Sequence, residues 1–132
     1  MAALLLDIVT YFTNKQLIAG DGVDAFRDFK PETPDNIISI HEYGGDPVSP
    51  FIEEVHRSVQ VLVRDIDADT ARTRALSLCN SLREDMDEDG RVDFTAERWG
   101  QVYVRQSPYK ISQDESDRVT YGFSLGITTN IE

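Results

Sequence analysis

Apolar positions recur along the chain with two spacings, one helical and one alternating, and their order predicts the architecture. Leu5, Ile8, Val9 and Phe12 fall at i, i+3, i+4 and i+7, one face of a helix over about residues 2–15. Asn14, then Gly20 and Gly22, mark its end. A strand at about 36–43 sets Ile38 and Ile40 against Ser39 and His41. A second, at about 57–65, alternates Val59, Val61 and Val63 with Gln60 and Arg64, while Leu62 interrupts its polar side, so both faces are partly covered. Ala71, Ala75, Leu78 and Leu82 then return at helical spacing, in a helix that starts at Asp67 or Asp69 as N-cap and runs to about Glu84. A third strand, at about 98–106, opposes Val102 and Val104 to Trp99, Tyr103 and Arg105.

The clearest alternation is the last. Over about 118–129, Val119, Tyr121, Phe123, Leu125 and Ile127 interleave with Thr120, Gly122, Ser124, Gly126 and Thr128. One face is large and apolar; the other is small, which lets a helix or a neighbouring subunit approach closely.

The stretches between these elements read as irregular. Pro31 and Pro34 push their preceding residues towards extended backbone, so residues 26–36 are predicted to form no regular element, with Phe26 and Phe29 pinning them to the core. Residues 44–50 are a loop, 85–94 an acidic turn, and 107–117 a hairpin connection. The sum is one domain over 1–132 of α+β class. It has a mainly antiparallel four-stranded sheet with two helices packed on one face, in the order α-β-β-α-β-β.

Composition narrows the function. With 40% hydrophobic and 28% charged residues, the 132-residue chain has ordinary globular composition. No apolar run approaches the roughly 20 residues of a membrane helix, and Asp7 interrupts the apolar start too early for a signal peptide, so no membrane association is expected. A lone cysteine, Cys79, among apolar helix positions reads as a small buried hydrophobe. The formal net charge of −11, with thirteen basic residues scattered among twenty-four acids, argues against a direct grip on nucleic-acid phosphates.

Candidate chemistry is sparse. The segment Asp85-Met-Asp87-Glu-Asp89-Gly90-Arg91-Val92-Asp93 matches the opening of an EF-hand loop, with carboxylates at positions 1, 3, 5 and 9 and glycine at 6. Position 12, which should supply a bidentate glutamate, is Ala96, and strand-like sequence follows in place of a second helix. Asp85, Asp87, Asp89 and Asp93 are therefore metal ligands only under an alternative reading, a calcium-responsive protein-binding module. His41 and His56 lie in different contexts without zinc spacing. No Ser, Cys or Thr stands in a nucleophile motif, and Glu53-Glu54 and Glu84-Asp85 read as solvated pairs. The chain is expected to be no enzyme and to carry no cofactor; a small enzyme with an unrecognised site would need a deep pocket with perturbed carboxylates or histidines.

The order of short segments along the chain resembles the minor capsid proteins of tailed bacteriophages, and more narrowly the tail terminator, or head–tail joining, group. The segments are the amphipathic first helix, Phe26-x-x-Phe29-x-Pro31-x-x-Pro34-Asp35-Asn36, Glu42-Tyr43-Gly44-Gly45, the strand from Val59 to Arg64, the helix around Ala71 to Leu82, Gln106-Ser107-Pro108, the acidic turn at Asp114-Glu115, and the final alternating strand. The resemblance implies a virion structural protein assembled in the bacterial cytoplasm. It implies a homo-oligomeric ring of about six subunits at the head-proximal end of the tail tube, which ends tube polymerisation and contacts tube and head connector proteins. It further implies that DNA passes through the lumen without specific binding, and that no catalytic residues carry over. The net charge would make that lumen acidic and repellent to phosphates. Partner contacts are expected in two loops, at Glu42, Tyr43 and Asp46, and at Tyr109, Asp114 and Glu115.

Overall fold

The computed structural model describes residues 4–43 and 54–130. Helix α1 covers Leu4–Asn14, strand β1 Ala25–Arg27, β2 Ile37–Tyr43, β3 Glu54–Asp65, helix α2 Ala68–Asp85, β4 Arg91–Asp93, β5 Trp99–Gln113 and β6 Val119–Asn130. The six strands form one mixed sheet in the order β1-β2-β3-β6-β5-β4, curled into a half-barrel.

This corrects the predicted four-stranded, mainly antiparallel sheet. β1 pairs parallel to β2, with Ala25 opposite Ile38. It lies in the segment predicted to be irregular, because three residues can join a neighbouring edge before Pro31 and Pro34 act. β4 forms at the end of the acidic turn and pairs antiparallel with β5, Val92 opposite Gly100. Local alternation is silent on both, since three residues carry too little period to read. β5 also runs through the predicted hairpin loop to Gln113, leaving a short turn before β6. Its register against β6 shifts between Val104 and Gln106, between Gln106 and Tyr109, and between Lys110 and Ser112. Each shift breaks the alternation and hides the strand in the sequence.

Both helices pack on the sheet face that carries Ile38, Ile40, Val59, Val61, Val63, Phe123, Leu125 and Ile127, and these join Leu5, Ile8, Val9, Phe12, Ala71, Ala75, Leu78 and Leu82 in one core. Asp67 caps α2, its side chain accepting from the Asp69 N–H at 3.1 Å. Cys79 is buried in this core. Phe29 is not: its ring stacks edge-on against Phe26 with centroids 6.2 Å apart and remains 59% exposed.

The small-residue face of β6 is filled by the chain itself. A Cβ on Gly126 would lie 2.2 Å from the Tyr103 ring, and one on Gly122 would meet the Ile111 and Leu62 side chains at 2.5 and 2.8 Å. Side chains from β5 and β3 thus fold over the glycines, where the sequence had pointed to a helix or another subunit.

Candidate functional site: the outer sheet face and its free edge

The register defines the face turned away from the helices. Its rows run Ser39–Leu62–Gly122–Tyr109, His41–Gln60–Ser124–Gln106, and Tyr43–Ser58–Gly126–Tyr103. Tyr43, Tyr103, Tyr109 and Ile111 are exposed large side chains there. Arg105, the extra residue at the first β5 register shift, donates Nη1 to Ser58 Oγ at 2.7 Å and Nη2 to Tyr103 Oη at 2.8 Å, with its guanidinium 5.2 Å from the Tyr103 ring centroid. β4 covers only the first residues of β5, so among the described residues no strand pairs with the outer edge of 103–113. Pro108 within that stretch fits an edge position, where a missing N–H breaks no ladder. An unpaired edge is a template for strand addition.

The other end of this face is closed by residues 31–35. Buried Arg64 of β3 gathers their carbonyls: Nε donates to Asp35 O at 3.1 Å, and Nη2 to Pro31 O at 2.6 Å and Pro34 O at 2.8 Å. Arg118 donates to the Glu32 carbonyl and pairs with Asp114 at 2.7 Å. Lys30 reaches Thr120 Oγ1 at 3.4 Å. His41 lies beside Ser39 Oγ at 3.0 Å, and burial lowers its pKa against the opposing pull of Asp28. His56 instead bonds Thr128 Oγ1 at 2.6 Å, so the two histidines serve separate partners.

Of the predicted contact residues, Tyr43 and Tyr109 come together on this outer face. Glu42 lies on the opposite parity and pairs with Arg57 at 2.8 Å. Asp114 caps the β5–β6 turn, accepting from the Ser116 and Arg118 N–H groups at 3.0 Å, and Glu115 is exposed beside it. Asp46 lies outside the described residues. Sequence reasoning missed Tyr103, Arg105 and Ile111 as surface features. The only signal for the first two was their place opposite Val102 and Val104 on an alternating strand.

The four carboxylates of the EF-hand-like segment are engaged separately. Asp85 accepts from Tyr11 Oη and pairs with Lys15 at 2.8 Å. Asp87 Oδ1 accepts from the Asp89 and Arg91 N–H groups at 2.9 Å. Asp93 pairs with Arg91 at 3.3 Å, and the Asp89 carboxylate is exposed. Among the described residues no group of three or more His, Cys, Asp or Glu is placed to hold a metal ion. An open cleft of about 530 Å³ borders this segment, lined by Tyr11, Lys15 and Asp85 among others. Burial and the neighbouring Asp85 push the Tyr11 phenol upward, so it keeps its proton and donates. Burial alone would raise Asp85, but Lys15 and Tyr11 hold it below the ordinary carboxylate value. The result is a clamp between α1 and α2, not an acid–base pair.

Asp24 is held down in the same way: burial opposes ionisation, and the Ala19 and Gly20 N–H groups together with Arg74 outweigh it. Both carboxyls titrate lower in the folded chain than in the unfolded one, near 3.8. Their contribution is therefore present above that value and lost as pH falls through the lower folded values. Urea midpoints should hold steady from pH 7 to about 5 and drop between about pH 4 and 2. Asp24→Asn should flatten that acid limb; a variant with the wild-type slope would refute the assignment.

The profile of the bacteriophage tail terminator protein family matches residues 14–131, nearly the whole chain. The chain belongs to this family. Its role is structural, in the phage tail, and its family is a non-enzymatic one whose members meet tail and head components of the virion. A search of curated proteins finds no match. The outer sheet face of this chain carries exposed tyrosines and, among the described residues, an unpaired β5 edge.

Proposed function

We propose that the chain assembles into a closed ring of about six copies at the head-proximal end of the tail tube, where it ends tube polymerisation and joins the tail to the head connector. The observation that carries this is the match to the tail terminator family over residues 14–131. The free edge of β5 and the exposed Tyr43, Tyr103 and Tyr109 support it, because they supply unpaired backbone and aromatic surface of the kind subunit contacts use. Tyr43, Asp46, Tyr109, Asp114, Glu115 and Glu42 are the residues through which the chain would meet tube, connector or neighbouring copies, Glu42, Tyr43 and Tyr109 doing so from strands. A net charge of −11 supports passage of DNA through the ring without being gripped.

Sedimentation of the purified protein over a range of concentrations tests the reading. A discrete closed oligomer near six subunits, unchanged by chelator or calcium, is the expected result. A monomer at every concentration would overturn self-assembly, and assembly only with calcium would move the weight to the acidic turn.

A further inference from the structure

Charge is segregated in this molecule. The chain carries 24 acids against 13 lysines and arginines, yet no Asp or Glu occupies the three central outward rows, from Ser39–Leu62–Gly122–Tyr109 to Tyr43–Ser58–Gly126–Tyr103; the outward parity meets an acid only at Glu54, at the start of β3. Three cations on that face have no carboxylate partner among the described residues. Lys30 bonds Thr120, Arg64 bonds backbone carbonyls, and Arg105 bonds Tyr103 and Ser58. Arg64 is buried, but Lys30 and Arg105 are exposed. A polar cleft of about 280 Å³ lies beside Arg105, lined by His56, Ser58, Tyr103 and Thr128 among others.

The complementary feature is the acidic turn between α2 and β4. Asp87 locks it: the Asp87 N–H donates to Arg91 O at 3.0 Å, the Gly90 N–H donates to Asp87 O at 3.0 Å, and the Asp87 carboxylate takes two further N–H groups. Gly90 supplies the φ of +77° the turn requires. The turn therefore presents exposed Glu88 and Asp89, neither in an ion pair among the described residues, on a backbone already held in place.

We propose that the outer face around Tyr103 and Arg105 receives the Glu88–Asp89 turn of a second copy of this chain. The inference deepens the ring reading and rests on it. The two patches are unlike, so their pairing is heterologous, and a heterologous contact that repeats can close into a ring. Central rows that hold no acid and bear Arg105 and exposed Tyr match the composition of interface centres, where Arg and Tyr are enriched. A nucleic acid fits it less well. Two exposed cations neutralise few phosphates, and the whole chain repels a polyanion. The partner must be acidic, and the chain itself supplies a rigid acidic surface.

Charge reversal in pairs tests this. Arg105→Glu should raise the concentration at which the wild-type oligomer dissociates by about tenfold or more. Glu88→Lys with Asp89→Lys should do the same. The three changes together should return it to within about threefold of wild type, since the pair is restored with its signs exchanged. Circular dichroism and urea midpoints close to wild type confirm that each variant folds, Arg105 being exposed. A wild-type ring that Arg105→Glu leaves intact, or a triple variant no better than either parent, overturns this contact and leaves the ring standing. A wild type that never assembles overturns both. A monomer that binds a mixed-sequence duplex, and loses it on Arg105→Glu, overturns the proposal in favour of a nucleic-acid face.

Discussion

Replacing Arg64 with Met should lower the unfolding free energy by about 3–5 kcal/mol, the cost of removing one partner from a buried charged hydrogen-bond set. Arg64 is 4% exposed and donates to the carbonyls of Pro31, Pro34 and Asp35, with a longer contact to Glu32 O at 3.3 Å. These carbonyls belong to a segment that makes no ladder, because Pro31 and Pro34 bring no N–H of their own. Without the guanidinium they would be left unsatisfied or open to water, and each hydrogen bond to a charged group contributes about 1.5–3 kcal/mol. Arg64→Lys should recover only part of the loss, since an ammonium cannot reproduce the planar fork that spans several acceptors. Urea unfolding with an unchanged m value reads the effect directly. A loss below about 1 kcal/mol for the Met variant would mean that the segment holds its shape without Arg64.

Phe12→Ala should cost a similar amount, about 3–5 kcal/mol, by opening a cavity between α1 and the sheet. The Phe12 side chain is fully buried, and its ring lies 5.4 Å from that of Tyr11. The consequence reaches beyond packing. α1 also carries Asp7, which pairs with buried Arg98, and Tyr11, whose hydroxyl donates to Asp85 of α2 and lies 2.9 Å from Ser81 Oγ. The melting temperature should fall by on the order of 10–20 °C. Phe12→Leu, which keeps most of the volume, should cost under about 1.5 kcal/mol. Equal losses in the two variants would show that ring shape, not volume, sets the fit.

Both variants bear on the face opposite the helices only indirectly, which helps separate stability from assembly. Arg64 orders the segment beside the outer face, whereas Phe12 acts from the core side. If Phe12→Ala destabilises the subunit yet leaves the oligomer intact at low temperature, the surface of assembly lies away from α1.

How much was legible in advance can be judged residue by residue. The period of Leu5, Ile8, Val9 and Phe12 marked α1, and the Asp67 cap with Ala71, Ala75, Leu78 and Leu82 marked α2, because helices are made by contacts within four residues. The alternation of Val119 to Ile127 marked β6, and its apolar side is the side buried under the helices. The order of segments also pointed to the tail terminator family, to which the chain belongs. The candidate site was far less legible: Tyr43 and Tyr109 share a face, but Glu42 and the Asp114 turn lie apart from them.

Local spacing therefore determined the two helices, the strands with clean alternation and the sign of the surface charge. Tertiary structure alone decided the rest. β1 and β4 exist because a neighbouring strand edge completes them, a benefit no three-residue window contains. β5 is long because its bulges absorb extra residues while β6 holds the register, so Arg105 and Ile111 land on the outer face although the alternation has slipped. The glycines of β6 are small because Tyr103, Leu62 and Ile111 need the space, a fact set by pairing across strands. The acids were visible in the sequence, but their absence from the central rows of the outer face follows only from the register.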